Sequence, residues 1–279
     1  MKPKLYILVL ILNSGDAMEL VSSVIMLLFG VVAGVVGGLL GIGGCSIMLP
    51  ALYFLFRYSL PCAIGTTITA VIVTAISGAV AHIRMKNVDF STARVITLSG
   101  TLGAVLGSVL FIYLTKNIAL LSVVVGFAFV YTSIRMIIEG IRKRGGVVSR
   151  SGDKVPGSST SKGLLGFFIG VLTGIIGLGG GYALVPSFIY LFNSPVKIAV
   201  GTSLASFISM ALVSGLFKLW SGDVDLIAAL LLGLGTALGA QLGARLVPRV
   251  PSWLIKLLFG LLFLYVSLRF ILSGFGIRI

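Results

Sequence analysis

The chain has 279 residues, of which 58% are hydrophobic and only 10% are charged, and its mean hydropathy is +1.17. A soluble domain carries about 25% charged residues, and several charge-free windows here reach about 18 residues, so the composition excludes an ordinary soluble protein and predicts a multi-pass, all-α integral membrane protein. The net charge of +14 does not indicate a nucleic-acid partner, because the basic residues lie in short loops between apolar segments.

Residues 1–19 carry a weak signal-like pattern. Two lysines precede the apolar run 5–12, and a polar stretch that ends at Asp16 follows it. The run is short for a signal peptide, and no clear small-x-small cleavage site follows it. A weak signal, a cytoplasmic tail and a chain that starts at Met18 all stay open.

The apolar segment from 20 to 57 is too long for one helix. At 1.5 Å per residue a straight helix of this length would measure about 57 Å, against a hydrocarbon core of about 30 Å. Glycines cluster near its middle as Gly41-Ile-Gly43-Gly44, and Pro50 follows them. Because glycine and proline weaken helices, the sequence predicts an interrupted segment.

Ordinary spans and a polar linker follow in chain order. Three spans are predicted at about 64–82, 95–114 and 117–138. A basic stretch with the run Gly-Ser-Ser-Thr-Ser comes next, and its composition predicts a flexible cytoplasmic linker. A second interrupted segment at 163–192 precedes spans near 198–218, 226–247 and 253–273. The predicted domains are an N-terminal tail or signal-like segment at 1–19, transmembrane repeat 1 at 20–139, a basic polar linker at 140–162 and transmembrane repeat 2 at 163–279.

The second half repeats the first at one constant offset, the one that carries Pro50 onto Pro186. The matching pairs are Gly41-Ile-Gly43-Gly44 with Gly177-Leu-Gly179-Gly180, Gly65-Thr-Thr67 with Gly201-Thr-Ser203, and Asp89 with Asp225. Chance similarity between apolar sequences does not keep glycines, threonines and an aspartate in one register. The sequence therefore predicts two homologous repeats, each with an interrupted or re-entrant glycine-rich segment and three spanning helices, about 8–10 membrane segments in total.

The charges of equivalent loops favour an inverted arrangement of the repeats over a parallel one. Loop 83–94 carries three basic residues and one aspartate, whereas its partner, 219–226, carries two aspartates. Conversely, loop 245–252 carries two arginines, and its partner, 113–117, carries one lysine. Only inversion keeps both basic loops on the cytoplasmic side together with the linker. We therefore expect inverted repeats with re-entrant segments, and a parallel arrangement is the alternative.

The paired breaks predict a transport site. Interrupted helices at corresponding positions of two repeats line substrate sites in transporters, and helix N-termini that begin at such breaks favour an anion. Helix packing is the alternative explanation for the glycines, N-capping for the hydroxyls and interhelical hydrogen bonding for the glutamine. The predicted substrate-binding residues are Gly41, Gly43, Gly44, Gly177, Gly179, Gly180, Gly181, Thr66, Thr67, Thr202, Ser203 and Gln241.

Other small or basic residues have simpler explanations. Gly34 and its repeat counterpart lie in runs of small residues spaced by four, which predict close helix packing. His82 and Lys218 occupy equivalent positions at the ends of spans, and Arg135 and Arg269 lie near the ends of the last spans. Snorkelling to the interface explains all four side chains, and a cationic lining of an anion path is the alternative for the arginines.

The residues provide no catalytic, metal or cofactor site. One histidine, two separated cysteines and the lack of a carboxylate in the middle of any predicted span argue against a nucleophile with its base and against a metal cluster, so no enzyme activity is expected. We expect a cell-membrane transporter, an exporter or permease, whose partners are a small anion and the lipid bilayer. A structural or assembly protein without transport activity is the alternative, and a homo-oligomer stays open.

Two motifs resemble those of the sulfite exporter TauE/SafE family, also called the 4-TMS toluene-sulfonate-uptake permease family. They are glycine loops that end in proline, followed in each half by Gly-Thr-[Thr/Ser], which begins at Gly65 and at Gly201. The resemblance covers nearly all of 20–273 except the linker, and the second motif, Gly177 to Pro186, is the closer match because Cys45 replaces the third glycine of the first. It implies the movement of small sulfur-containing anions such as sulfite or sulfonates, whereas the residues alone indicate only an anion.

Overall fold

A computed structural model describes residues 15–40, 44–141, 152–178, 180–246 and 252–277. These residues form ten helices and no strand. The helices of the first half are α1 (Gly15–Leu40), α2 (Cys45–Phe54), α3 (Leu60–Arg84), α4 (Phe90–Leu114) and α5 (Ile118–Ile141). The helices of the second half are α6 (Ser159–Ile176), α7 (Gly181–Tyr190), α8 (Val196–Trp220), α9 (Leu226–Leu246) and α10 (Ser252–Gly274). Residues 1–14 of the predicted N-terminal tail and residues 142–151 of the predicted linker lie outside the described residues.

Seven of these helices, α3 to α6 and α8 to α10, are long and apolar enough to cross a membrane. Helix α1 contributes a shorter apolar stretch, Val21–Gly37, and α2 is a short apolar helix. The prediction of an all-helical, multi-span protein is therefore confirmed, and the six predicted ordinary spans coincide with α3 to α5 and α8 to α10 within a few residues. Helices α2, α3 and α4 are separated from α7, α8 and α9, respectively, by the same offset between their first residues that relates Pro50 to Pro186.

Local sequence sets several helix boundaries. The hydroxyl of Ser59 accepts a hydrogen bond from the Cys62 N–H and caps α3, and the hydroxyl of Ser158 caps α6 in the same way. The carboxylate of Asp89 accepts from the N–H groups of Ser91 and Thr92 and caps α4. Such caps satisfy N–H groups that the first helical turn leaves without a partner.

Three helix pairs form the most extensive interfaces: α5 with α10, α4 with α6, and α1 with α9. Each pair joins one helix from each half, so the first helix of either half packs against the fourth helix of the other. Helices α3 and α8 pack against each other, α3 also packs against α9, and α8 also packs against α4. The two halves are thus interleaved and share one apolar core, to which both of them contribute buried side chains.

The paired helices α1 and α9 run in the same direction. Gly30 lies against Leu232, and Gly34 lies against Thr236 one turn further along both helices. The same relation holds between α6 and α4, whose contacts are Gly166 with Ile96, Gly170 with Gly100 and Gly174 with Ala104. A Cβ atom at any of these glycines would meet main-chain atoms of the neighbouring helix, so the prediction of close packing at Gly34 and its counterpart Gly170 is confirmed.

Helices α3 and α8 run in opposite directions, because Gly201 lies beside His82 whereas Gly215 lies beside Ile72. The bundle therefore has two ends. Helices α1, α3 and α9 begin at one end, which we call the α3 end. Helices α4, α6 and α8 begin at the opposite end, which we call the α8 end. The connection after α7 also returns to the α8 end, because Phe192 lies against Gly157, which precedes α6.

Candidate functional site

The break between α6 and α7 is built by glycine. Helix α6 ends at Ile176, and Gly177 follows in the left-handed conformation with φ +68° while its N–H bonds the Thr173 carbonyl oxygen at 3.0 Å. A Cβ atom here would also lie 2.7 Å from the carbonyl oxygen of Ile64, so both conformation and space require glycine. Helix α7 then begins after Gly180, and no side chain of the described residues caps it.

The break between α1 and α2 has the same plan. Helix α1 ends at Leu40, and α2 begins at Cys45 after Gly44, again without a side-chain cap among the described residues. A Cβ atom on Gly44 would lie 2.9 Å from the Cγ2 atom of Thr236 and 3.1 Å from the carbonyl oxygen of Ala33. Predicted site residues Gly41, Gly43 and Gly179 lie outside the described residues.

Both short helices begin in the middle of the bundle. Gly44 faces Thr236, which lies at the centre of α9, and Gly180 faces Phe207, which lies at the centre of α8. The N–H groups of a first helical turn lack the usual partner four residues earlier, although here those of Ile47 and Ala183 bond the carbonyl oxygens of Gly44 and Gly180. The helix dipole places a partial positive charge at the same end. Two buried, uncapped N-termini at mid-depth therefore offer donors and positive potential to an anion. The two short helices do not form an extensive interface with each other in the described residues.

The hydroxyls of Thr66 and Thr202 join helices of the two halves. Thr66 Oγ1 accepts a hydrogen bond from the N–H of Asp225 at 3.0 Å, and Thr202 Oγ1 accepts one from the N–H of Asp89 at 3.0 Å. The interpretation of these threonines as N-caps is wrong, because α3 begins at Leu60 and α8 begins one residue after Pro195. The contact of Thr66 instead fixes the start of α9 against α3, and the contact of Thr202 fixes the start of α4 against α8.

The other predicted hydroxyls and Gln241 differ in surroundings. Thr67 Oγ1 is buried and has no hydrogen-bond partner among the described residues, whereas Ser203 Oγ donates to the Val200 carbonyl oxygen at 3.0 Å. The side chain of Gln241 is exposed on α9, and Gly181 is the first residue of α7. No group of three or more His, Cys, Asp or Glu residues that could hold a metal ion occurs in the described part of the chain.

Asp89 and Asp225 organise the two ends of the bundle, a role that the sequence analysis missed. At the α8 end, the Asp89 carboxylate accepts from the Thr92 hydroxyl at 2.7 Å and from the Val155 N–H at 3.0 Å. At the α3 end, the Asp225 carboxylate accepts from the hydroxyl of Tyr58 at 2.7 Å, and burial together with this bond raises the pKa of Tyr58. The signal in the sequence was an aspartate directly before each fourth helix, an N-cap position.

We expect Asp89→Ala to lower the unfolding free energy by about 1–2 kcal/mol, because α4 loses its cap. Burial by itself raises the pKa of Asp89, but hydrogen bonds from Thr92, Val155 and Ser91 outweigh it and lower the pKa from 3.8 to about 2. The ionised carboxylate therefore stabilises the fold at neutral pH, and this contribution is lost as pH falls below 3.8 towards 2. Thermal unfolding of detergent-solubilised protein at several pH values measures both effects.

Asp153→Ala is the matched control for this experiment, because Asp153 is an exposed carboxylate in the segment that precedes α6. The control variant should keep the acid-dependent loss of stability of the unchanged protein, whereas Asp89→Ala should lose part of it. The same acid dependence in all three proteins would contradict the role assigned to Asp89.

Two arginines contact the ends of the short helices. The guanidinium of Arg135 on α5 lies 4.7 Å from the ring centroid of Tyr190, at the end of α7, and bonds Glu139 at 3.0 Å. The guanidinium of Arg269 on α10 lies 4.5 Å from the ring centroid of Phe54, at the end of α2. Each arginine thus packs on an aromatic side chain of the opposite half, in a cation–π contact near the negative end of a helix dipole.

Lys218 does not snorkel, so that interpretation of the sequence is wrong. Its side chain is 0% exposed, and its Nζ donates to the Gly174 carbonyl oxygen at 2.6 Å and to Ser214 Oγ at 2.9 Å. The Nζ also lies 4.3 Å from the ring centroid of Phe111. The carboxyl end of α6 lies beside the last turn of α8. Unpaired carbonyl groups at a helix end attract a cation, which explains why the ammonium of Lys218 points into the bundle.

Comparisons with known proteins agree on one family. The family model described as Sulfite exporter TauE/SafE matches residues 26–270. The "Probable membrane transporter protein YunE" of Bacillus subtilis is 30% identical over 231 residues, covering 76% of this chain and 83% of the relative. The "Probable membrane transporter protein YdhB" of the same organism is 25% identical over 203 residues, covering 73% and 81%. The "Probable membrane transporter protein MJ0441" of Methanocaldococcus jannaschii is 24% identical over 206 residues, covering 72% and 73%. No solved structure matches the chain.

Proposed function

Because the chain belongs to the sulfite exporter TauE/SafE family of membrane transporters, we propose that it exports a small sulfur-containing oxyanion, sulfite or a sulfonate, across the cell membrane. The observation that carries this proposal is the pair of uncapped N-termini of α2 and α7, buried at the middle of the bundle. Main-chain N–H groups at these two N-termini would donate hydrogen bonds to the oxygens of the anion. An inside-negative potential favours the exit of an anion by about 2.3 kcal/mol per charge per 100 mV, so export needs no coupling ion.

The hydroxyl of Thr67 would be a further hydrogen-bond donor for the anion. It is fully buried without a hydrogen-bond partner among the described residues, a condition that costs stability unless another group supplies the bond. Every acidic residue of the described chain lies in the first two or last two turns of a helix or in a connection between helices, and the middle of the bundle would therefore not repel an anion.

We further propose that the halves are inverted repeats with re-entrant first segments. Helix α6 begins at the α8 end, and the chain returns there after α7, since Pro195 lies near Gly152 and Phe192 lies against Gly157. Helix α1 begins at the α3 end, beside the start of α9, and α3 begins at that same end. Each re-entrant unit would thus open to a different side of the membrane, as alternating access requires. The basic loop 83–94 would place the α8 end in the cytoplasm.

Accessibility of single cysteines tests this topology. On a background without Cys45 and Cys62, we expect Ser221→Cys to react with an impermeant maleimide added outside intact cells, because Ser221 is exposed at the α3 end. Met85→Cys, which is exposed at the α8 end, serves as the matched probe and should react only after permeabilisation. Reaction of both cysteines from the same side would rule out inversion.

Efflux from proteoliposomes tests transport itself. Vesicles loaded with sulfite or methanesulfonate should release the anion in a protein-dependent manner. The release should be faster when the vesicle interior is held at a negative potential, which drives anions outward. Liposomes without protein and liposomes that contain the Gly180→Ala variant are the controls. A protein that releases none of a panel of small oxyanions under any imposed potential would contradict the proposed function and favour a structural or assembly role.

A further inference from the structure

The last turn of α8 contains a buried cation that the site described above does not use. The hydrogen-bond acceptors of Lys218 are a main-chain carbonyl and a hydroxyl, both neutral. No carboxylate lies within ion-pair distance of it in the described part of the chain, although Asp223 interacts with it electrostatically from further away. Burial of an ammonium without a bonded counter-ion lowers the stability of the fold. The position of Lys218 in the core therefore calls for an explanation.

Two buried hydroxyls without partners accompany this lysine. Ser108 and Thr173 are both 0% exposed, and neither hydroxyl has a hydrogen-bond partner in the described residues. Thr173 directly precedes Gly174, the residue whose carbonyl oxygen binds Lys218. Ser108 lies one turn before Phe111 on α4, and its main-chain nitrogen lies 2.6 Å from the point where a Cβ on Gly174 would be. The two hydroxyls and the ammonium are thus gathered around the last turn of α6.

We propose that Lys218, Ser108 and Thr173 form an anion subsite at the carboxyl end of α6, beside the break that begins at Gly177. The ligand is the transported oxyanion, whose charge compensates the ammonium and whose oxygens accept from the two hydroxyls. Lys218 Nζ has three N–H donors, of which Gly174 and Ser214 accept from two. The third bonds no oxygen or nitrogen among the described residues, where Nζ otherwise contacts only the Phe111 ring, and it would be the donor to the ligand. This inference rests on the proposed function, because it assumes that the cargo is an anion.

The subsite combines Lys218 and Thr173 of the second half with Ser108 of the first, and the symmetry-related set of positions lacks these groups. At the equivalent positions the first half carries His82 in place of Lys218, Gly78 in place of Ser214 and Gly37 in place of Thr173. A requirement of the fold shared by both repeats would not produce this difference. Capping of the α6 carboxyl end alone also leaves the two unpartnered hydroxyls unexplained, whereas an anion would use all three groups.

The test is sulfite transport and sulfite binding by the Lys218→Gln variant. Glutamine removes the charge and retains N–H donors on a side chain that is one atom shorter. We expect the KM for sulfite efflux from proteoliposomes to rise about 10- to 100-fold, as for the loss of a hydrogen bond to a charged group. We also expect sulfite to stabilise the detergent-solubilised unchanged protein against thermal unfolding and to leave Lys218→Gln unaffected. His82→Gln, at the equivalent position of the first half, is the matched control and should behave as the unchanged protein does.

A wild-type KM and a wild-type sulfite-induced stabilisation in Lys218→Gln would overturn the subsite. If that variant does not fold, Ser108→Ala and Thr173→Val decide, because each removes a hydroxyl that bonds nothing in the described structure. Each should raise KM about 10-fold or more, because each removes a hydrogen bond to the charged oxyanion, and unchanged KM in both would overturn the subsite. The proposed function fails separately, when the unchanged protein moves no oxyanion; the binding measurement then still decides whether Lys218 holds sulfite.

Discussion

We expect Gly180→Ala to reduce sulfite efflux at least about tenfold while the protein still inserts and folds, because a methyl group would crowd the N–H groups of α7 that we propose to bind the oxyanion. The added Cβ would lie 2.6 Å from Cδ2 of Phe207 and 3.1 Å from Cδ1 of Leu184. Both neighbours are side-chain atoms, which can shift, so the substitution perturbs packing without forcing main chains apart. Efflux from proteoliposomes, together with thermal unfolding in detergent, measures the two effects separately.

A second substitution separates a binding role from a packing role at Gly180. Phe207→Leu removes the ring that the new methyl group would meet, so the double variant should regain stability. If Gly180 leaves room for the ligand, transport stays low in the double variant. If transport recovers, the role of Gly180 is packing alone. Gly215→Ala is the matched control, because its Cβ would lie 3.3 Å from the nearest atom, a flexible end of Ile72, and should leave transport unchanged.

The sequence predicted those features that depend on local pattern. The charge-free run from 20 to 57 exceeds the bilayer thickness, and the glycines near its middle indicated a break that the structure brackets between Leu40 and Cys45. The constant offset between matching residues of the two halves relates the starts of α7 and α8 to those of α2 and α3. Hydrophobic length and glycine position suffice for such features, because the bilayer itself sets the length of a span.

Features that depend on contacts between distant segments could not be predicted. Lys218 stands near the end of its span, which suggested snorkelling, and no pattern in the sequence indicated that the carboxyl end of α6, 44 residues earlier, reaches the same depth. Thr66 was predicted to cap a helix or bind a ligand, yet its partner is the main chain of Asp225, 159 residues further on. A hydroxyl accepts from a substrate, its own helix or a distant helix with equal ease, so only the fold decides between them.

We expect Gly170→Leu to abolish the folded protein. A Cβ atom at this position would overlap the main-chain carbonyl of Gly100, and main-chain atoms in the middle of α4 cannot turn aside as a side chain can. Relief requires α4 and α6 to separate along one of the most extensive interfaces of the bundle. Overpacking of a core costs about 1–3 kcal/mol where side chains can adjust, and a clash between main chains exceeds that range and approaches the entire stability of a domain.

The repeat counterpart of this position makes the argument sharper. A Cβ at Gly34 would lie 2.7 Å from the Cα of Thr236 and 2.9 Å from the main-chain nitrogen of Ala240, so Gly34→Leu should fail in the same way. Gly163→Leu, on the same helix as Gly170, is the control, because its Cβ would meet only Cγ1 of Val95 at 3.8 Å. Yield of monodisperse protein and its thermal unfolding midpoint measure all three. If Gly170→Leu keeps the unfolding midpoint of the unchanged protein, the close approach of α4 and α6 is wrong. If only one of Gly34→Leu and Gly170→Leu fails to fold, the α1–α9 and α4–α6 interfaces are not equivalent. The symmetric pairing of the two halves described above would then be wrong.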